Sequence, residues 1–450
     1  MNYGISVRSM RVFVTALVLL LGGQVQAIST AALTQGIPSL APMLEQVTPA
    51  VVSIRVSRAI PALGRHSEQL GRPYTTGEGS GVVVDAAGGL IITNHHVVAD
   101  ASHISVQLGD GRTLEATLLG SDSGTDVALL QVEAEDLIEI AFADVDTVAV
   151  GDYVVAIGNP FGIGQTVTSG IVSALGRAGI NNDNYEDFIQ TDAAINRGNS
   201  GGALVDMEGN LIGINTAIIS GGGGSNGIGF AVPADMIASV MEHLKRDGEV
   251  RRGLLGVTIA DVTADIVAAL DVKVEHGAVV TSVLPESAAE QAGVQLSDVI
   301  VEIDGKEVRD SRQLRNMVGL MLQDQQVELV LYRDGIRESV QARIGGATGQ
   351  IASSNSADNI SKEFRGARLE SVDGDNKYTD QGVEIVSLSN RSAAWAAGLR
   401  EGDVIVEVNR QSIADLEAFN RAMPASAADS RSSISALTVI RDGRRILMFL

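Results

Sequence analysis

The chain contains no cysteine. That absence removes disulfides, thiolate metal centres, cysteine nucleophiles and a lipidated cleavage-site cysteine from consideration. Aromatic residues are scarce at 3% of 450 residues, with a single Trp. Basic residues are in deficit: 33 Lys and Arg face 55 Asp and Glu, a formal charge of −22. With Arg8 and Arg11 of the N-terminus set aside, 31 basic side chains oppose 55 acidic ones, and no basic stripe breaks the pattern. Such a surface repels phosphate backbones, which excludes nucleic acid as a partner. No Gly-x-x-x-x-Gly-Lys phosphate loop occurs, so neither a nucleotide nor any other cofactor is expected. The six His residues lack metal-ligand spacing apart from His95-His96, whose side chains would diverge on a strand, and no metal site is expected. Past the N-terminus, no run is apolar over the roughly 20 residues a membrane-spanning helix needs.

The first residues read as an export signal. Arg8 and Arg11 form a positive start, Val12 to Leu21 an apolar stretch, and Val25-Gln26-Ala27 a small-residue cleavage site, so residues 1–27 are expected to be removed before Ile28. The length suits about three domains. Fifty glycines point to many turns, as an all-β protein requires.

A short helix is expected near residues 38–47, ahead of a first strand, Ala50 to Val56. From Gly79 to Val232, short β-rich runs follow one another closely with no helix between them. They include Leu90 to Thr93, His103 to Leu108, Val127 to Val132, Tyr153 to Gly158, Thr166 to Ala174 and Leu211 to Ile219. This spacing indicates antiparallel sheets or barrels. Ala234 to Leu244 has helical periodicity and closes the domain. Further on, Ser287 to Glu302 matches Ser392 to Glu407 at an offset of 105, and Arg333-Asp334-Gly335 recurs as Arg441-Asp442-Gly443 at 108. Offsets of that size mean two copies of one domain rather than a solenoid repeat. Gly345 to Glu363, rich in Gly, Ala, Ser and Asn, reads as a linker between them. The expected boundaries are 28–250, 251–345, a linker at 346–363, and 364–450.

One serine stands in unusual company. Gly198-Asn199-Ser200-Gly201-Gly202 precedes the apolar Ala203-Leu204-Val205, and upstream, in order, a His and an Asp each border an apolar run. Alone, the motif is a turn serine. A hydroxyl is a weak nucleophile without a base, and the base needs an acid to orient it. The chain offers one of each in His…Asp…Ser order, which points to a serine protease with Ser200 as nucleophile. His96 is the expected base, since its place before Val97-Val98 and three after Thr93 resembles the Thr-x-x-His-Val pattern usual in such proteases; His95 is the competitor. Asp126 is the expected orienter, with Asp122 and Asp110 as competitors. The oxyanion hole is expected at the Gly198 and Ser200 amides, with Asn199 shaping the turn between them. No Asp stands six positions before Ser200, where Ala194 is found. Ile195, Ile228 and the strand through Thr216, Ala217, Ile218, Ile219 and Ser220 suggest instead a small aliphatic specificity pocket.

These motifs, with Gly79-Ser80-Gly81-Val82, Gly158-Asn159-Pro160-Phe161-Gly162 and Gly227 to Pro233, resemble the HtrA/Do-type (DegP/DegQ-like) periplasmic serine endoproteases with two PDZ domains. The match runs from Pro38 to Leu450. The resemblance implies a mainly β chain, with a chymotrypsin-like double β-barrel followed by two PDZ domains. It also implies the triad His96, Asp126 and Ser200, a regulatory loop at Gly176 to Asp187, and an edge strand at Thr216 to Ser220 for extended substrate. PDZ domains add a peptide C-terminus as a strand, its carboxylate caught by loop amides. Here the loop would be Gly253, Leu254, Leu255 and Gly256, and the strand Val257, Thr258 and Ile259. In the second copy, Gly366-Ala367-Arg368-Leu369 fills that place less typically. His95 replaces the family's usual Asn, and the short Ser57–Gly77 loop leans toward the DegQ-like branch.

The expected activity is ATP-independent degradation of unfolded or damaged envelope proteins, triggered by C-terminal peptides at the first PDZ domain, in a homo-oligomer built from trimers. A holdase chaperone or peptide-sensing scaffold, or a dedicated signalling protease, are the competing readings.

Overall fold

The computed structural model describes residues 39–59, 74–160, 164–180, 185–196, 198–218, 225–270, 272–346, 364, 367–372, 376–390, 392–423 and 435–450. Residues 1–27 and most of the proposed 346–363 linker lie outside this set, as do Ile219 and Ser220. Among the described residues no helix is long and apolar enough to cross a membrane.

Twelve strands build two closed antiparallel barrels. The first contains β1 (Val51–Ala59), β2 (Tyr74–Asp85), β3 (Leu90–Thr93), β4 (His103–Gln107), β5 (Thr113–Asp122) and β6 (Val127–Val132). Around it the order is β1-β2-β3-β6-β5-β4, closed by β4 pairing with β1. The second contains β7 (Tyr153–Gly158), β8 (Thr166–Arg177), β9 (Phe188–Thr191), β10 (Ala203–Val205), β11 (Leu211–Ile218) and β12 (Gly229–Pro233). Its order, β7-β8-β9-β12-β11-β10, repeats that of the first. This is the expected double barrel. Aliphatic side chains fill both, as the shortage of aromatics requires: Ile54, Ile91, Leu129 and Leu130 in one, and Val154, Ile189, Leu204 and Ile212 in the other. Closure removes the exposed strand edges that open sheets must otherwise protect.

The helix Ala234–Asp247 follows directly from β12 and buries Ile237, Val240 and Leu244. Its end is set by Gly248, whose φ of +73° is left-handed and whose N–H donates to Leu244 O.

The repeated segment folds twice into one architecture. In the first copy the sheet runs Val257–Asp261, Ala278–Val283, Val299–Ile303, Gln326–Arg333, Ile336–Arg343; in the second it runs Arg368–Ser371, Val383–Ser387, Val404–Val408, Ala436–Arg441, Arg444–Phe449. The repeated motifs meet in space. Arg333 grips the buried Asp298 through Nε and Nη2 at 2.8 and 2.6 Å, and Arg441 grips Asp403 at 2.7 and 2.6 Å. Each Asp is only 1% exposed, and its fork of charged donors takes the place of the water it gives up. Gly345–Gly346, at the start of the segment read as linker, pairs with Gly253–Leu254 and is held against the head of the first copy.

Candidate active site

One expectation about local structure fails. His95 and His96 do not continue a strand; His95–Val98 forms a single helical turn immediately after β3. The residue before it, Asn94, is extended (φ −81°, ψ 148°), and the chain coils only from there. The two imidazoles therefore leave adjacent positions of a turn. His95 Nδ1 lies 3.0 Å from Ser121 Oγ on β5. His96 faces the chain ahead of β6: its Nδ1 lies 2.8 Å from Asp126 Oδ2 and 3.1 Å from Oδ1, and its backbone N–H donates to Oδ1 at 3.0 Å.

Asp126 is held from several directions. Its carbonyl accepts from His95 N at 3.1 Å and Asn94 Nδ2 at 3.0 Å, and Thr216 Oγ1 donates to its Oδ2. Its φ of +57° is left-handed, a conformation that Asp tolerates better than most residues. Burial alone would push its carboxyl up. The bonds from His96 and Thr216, with the nearby imidazole charge, outweigh that and hold it below its ordinary value. The competitors are engaged elsewhere: Asp122 accepts from Thr125 and Arg252, and Asp110 from Arg112.

Ser200 sits on a turn assembled from both barrels. Ser80 of β2 donates through Oγ to Gly198 O at 2.5 Å, accepts from Asn159 N at 2.8 Å, and through its backbone N–H bonds Ser200 O at 2.8 Å. Thr93 Oγ1 bonds Ser80 O in turn. Gly198 (φ +95°) lies against Pro160 and Gly201 (φ +83°) against Ser80 O, so a Cβ at either position would collide as well as strain the backbone. Asn199 N–H is spent on Asn196 O at 3.0 Å, whereas the Gly198 and Ser200 amides find no acceptor among the described residues. The Ser200 hydroxyl donates to Thr216 O at 3.2 Å; among the described residues no hydrogen bond joins it to His96.

The residues expected to shape a specificity pocket divide. Ile195 is 1% exposed and belongs to the core of the second barrel, so it can shape a pocket only from behind. Ile228 is half-buried just ahead of β12. β10 pairs with β11 only as far as Ile214, so Thr216–Ile218, whose other side pairs with β12, has no strand on the β10 side among the described residues. Sequence reasoning quoted Ser80 and Thr93 only within motifs, and it gave them no part in building the serine turn and gave Asn94 and Thr216 none in holding Asp126. Their one signal is polarity within or directly after apolar strands: Ser80, Thr93 and Asn94 are completely buried.

In the first repeated domain, Gly256 has φ +81° and Leu255 is buried, and the strand Val257–Asp261 pairs on one side only among the described residues. Val257 and Ile259 pack on a core shared with Leu314 and Val318 of the helix Ser311–Gly319. That helix also touches the loop between β8 and β9. Asn316 Nδ2 donates to Glu186 O at 2.9 Å, and the Tyr185 ring stacks under Arg252 at 4.0 Å. Arg252 in turn donates to Asp122 Oδ2 at 2.6 Å. In the second repeated domain, Ala367 N–H is tied to Phe364 O, and the Phe364 ring meets Phe419 edge-on at 5.4 Å. Gly366 lies outside the described residues.

Beside the Glu186 contact is a cavity of about 150 Å³ lined by Asp187, Arg309, Asp310 and Arg312. Burial raises the Asp187 carboxyl, with Arg309 opposing and Asp235 and Asp310 reinforcing the rise. The folded state therefore holds this proton more tightly than the unfolded chain. Stability rises as pH falls through the raised value toward the ordinary carboxylate range, and the penalty is fully present only above that raised value. Asp187→Asn is expected to raise the melting temperature at pH 7.5 and to remove the part of the gain on acidification that Asp187 contributes. Melting curves of both proteins from pH 4 to 8 check this.

Two barrels with a serine turn at their junction, followed by two copies of one smaller sheet domain, define a trypsin-like serine endopeptidase with two PDZ domains. Residues 79–214 match the trypsin-like peptidase domain family, and residues 253–344 and 355–426 each match the PDZ domain family. The chain is 43% identical to the periplasmic pH-dependent serine endoprotease DegQ of Escherichia coli over 427 residues, 92% of this chain and 91% of that one. It is 40% identical to the periplasmic serine endoprotease DegP of the same organism over 457 residues, 94% of each. Among solved structures, the HtrA-type protease AlgW with a tripeptide superposes with a TM-score of 0.55 at 41% identity, covering 70% of this chain and 99% of that one. The chain belongs to the DegP/DegQ (HtrA-type) family of periplasmic serine endoproteases.

Proposed function

We propose that this chain is exported to the periplasm by a cleaved segment at residues 1–27 and degrades unfolded or damaged envelope proteins there. No nucleotide takes part. The domains are 28–250 (protease), 251–345 (first PDZ), 346–363 (linker) and 364–450 (second PDZ), and the working form is a trimer or a multiple of it. The observation that carries the chemistry is the His96–Asp126 pair, with Nδ1 to Oδ2 at 2.8 Å, beside a serine held on a glycine turn.

In this reading Asp126 fixes the imidazole with its proton on Nδ1, leaving Nε2 free to accept. The Ser200 hydroxyl turns from Thr216 O to Nε2, surrenders its proton and attacks the scissile carbonyl. The Gly198 and Ser200 amides receive the developing oxyanion, and His96 returns the proton to the leaving amine. Substrate lies extended along Thr216, Ala217, Ile218, Ile219 and Ser220. Its P1 side chain is small and aliphatic, enclosed near Ile228 with Ile195 behind.

Activation is read through the first PDZ domain. A peptide C-terminus adds to Val257–Ile259, with its carboxylate on the Gly253–Gly256 amides. The helix Ser311–Gly319 underlies that strand and also holds Glu186 through Asn316, which supports a mechanical link to the loop beside the catalytic barrel. The resting Ser200–Thr216 bond fits an enzyme that awaits such a signal.

The test is degradation of unfolded casein by the full chain with and without a peptide ending in apolar residues, with Ser200→Ala as control. Degradation is expected to rise about tenfold with peptide, a coupling of the usual size between two sites, and to vanish in the control. An unchanged rate with peptide demonstrably bound would overturn the switch, and a fully active Ser200→Ala would overturn the chemistry.

A further inference from the structure

The guanidinium of Arg58 lies outside the His96–Asp126–Ser200 constellation, yet it closes on the turn that carries His96. Arg58 stands near the end of β1. Its Nε donates to Ala99 O at 2.8 Å, and its Nη2 donates to Val97 O at 2.8 Å and to His96 O at 3.3 Å. A helical turn of four residues cannot satisfy its own last carbonyls, which must find donors elsewhere. Here one planar fork supplies three carbonyls, and its positive charge meets the negative end of the turn. The same strand holds the chain as it leaves: Ser57 O accepts from Ser102 N and Ser102 Oγ, both at 2.8 Å. Across the β1–β2 ladder, Gly77 pairs with Val56. A Cβ at Gly77 would run into Arg58 Nη1 and Val56 Cγ2, so the glycine leaves the guanidinium its place.

We propose that Arg58 is a positioning residue for the catalytic base. By pinning the carbonyl end of His95–Val98 to β1, it fixes the direction in which the His96 imidazole leaves the turn. The imidazole is half-exposed, and its own contacts within hydrogen-bond distance are to Asp126. Without the fork, the turn can rock about that pair, and Nε2 is no longer held in one direction for the Ser200 hydroxyl to reach. Misplacement of a reacting group by about 1 Å is enough to cost up to 10²-fold in rate. The proposal rests on His96 acting as the base, and the experiment separates the two.

Arg58→Met, Arg58→Lys, Gly77→Ala and His96→Ala are made in the full chain. Each is assayed on a chromogenic peptide with saturating activating peptide, and for the rate at which a fluorophosphonate labels Ser200. Arg58→Met is expected to lower kcat and the labelling rate together by about tenfold or more, with KM within about twofold of the parent. Arg58→Lys should recover part of the loss, because an ammonium can still bond one or two of the carbonyls. Gly77→Ala should reproduce the loss with Arg58 still present, which covers the case in which Arg58→Met fails to fold. Unchanged kcat and labelling in a folded Arg58→Met overturn the proposal. So does a loss that Lys does not lessen and that tracks a lowered melting temperature. If His96→Ala keeps its activity, the reading of His96 has failed rather than that of Arg58.

Discussion

Ser200→Ala is expected to lower peptide-bond hydrolysis by about 10⁶-fold while leaving the fold intact, and His96→Ala should do nearly as much. The losses are alike because nucleophile and base act as one unit: a hydroxyl whose proton has no acceptor attacks hardly better than water. What gives the experiment its power is the neighbouring histidine. His95 lies on the same helical turn, and its Nδ1 is occupied by Ser121 Oγ at 3.0 Å rather than by a carboxylate. His95→Ala is therefore expected to keep kcat within about tenfold of the parent, the cost of a loosened turn rather than a lost base. The three variants are compared by kcat on a chromogenic peptide and by fluorophosphonate labelling, which reads the nucleophile directly. Labelling and turnover that survive His96→Ala but not His95→Ala would exchange the two roles.

Much of this was legible from the chain alone, and the parts that were not share a physical cause. Tyr153–Gly158 and Val127–Val132 have the same bounds in the structure as in the sequence reading, because aliphatic runs bordered by turn residues have one economical conformation inside a barrel. The two PDZ copies were visible as a repeat because the gripped Asp298 and Asp403 recur with their arginines. The His95–Val98 turn was missed. Val97 and Val98 are β-branched and follow a true strand, so local preference argues for continuation, and it is the bonds donated to Asp126 and by Arg58 that decide otherwise. The same limit hid Thr216 on Asp126 and Asn316 on Glu186. Those partners stand 90 and 130 residues apart in the chain, and no spacing rule connects them.

Asp126→Asn is the second large effect, about 10⁴-fold in kcat. The geometry shows why so small a change should cost so much. Asn is nearly isosteric and accepts a left-handed backbone readily, so the φ of +57° at this position poses no obstacle and the fold should persist. What changes is the sense of the hydrogen bonds. Asp126 accepts from the His96 backbone N–H, from His96 Nδ1 and from Thr216 Oγ1, and a carboxylate can satisfy all three with acceptors alone. An amide must turn its NH₂ toward one of them. The Thr216 hydroxyl can also accept, but an NH₂ facing His96 forces the imidazole to carry its proton on Nε2, the atom that must be bare to take one from Ser200. The acid side of the stability profile offers an independent check. The carboxyl of Asp126 is held below its ordinary value, so its contribution to stability is complete above the unfolded-state value and is lost as pH falls through the depressed one. Asp126→Asn should therefore flatten the fall in melting temperature on acidification below about pH 4, the ordinary range of an Asp carboxyl. A variant that keeps its kcat, or one whose stability falls with acid as steeply as the parent's, would place the orienting carboxylate elsewhere, with Asp122 the nearest candidate four residues upstream.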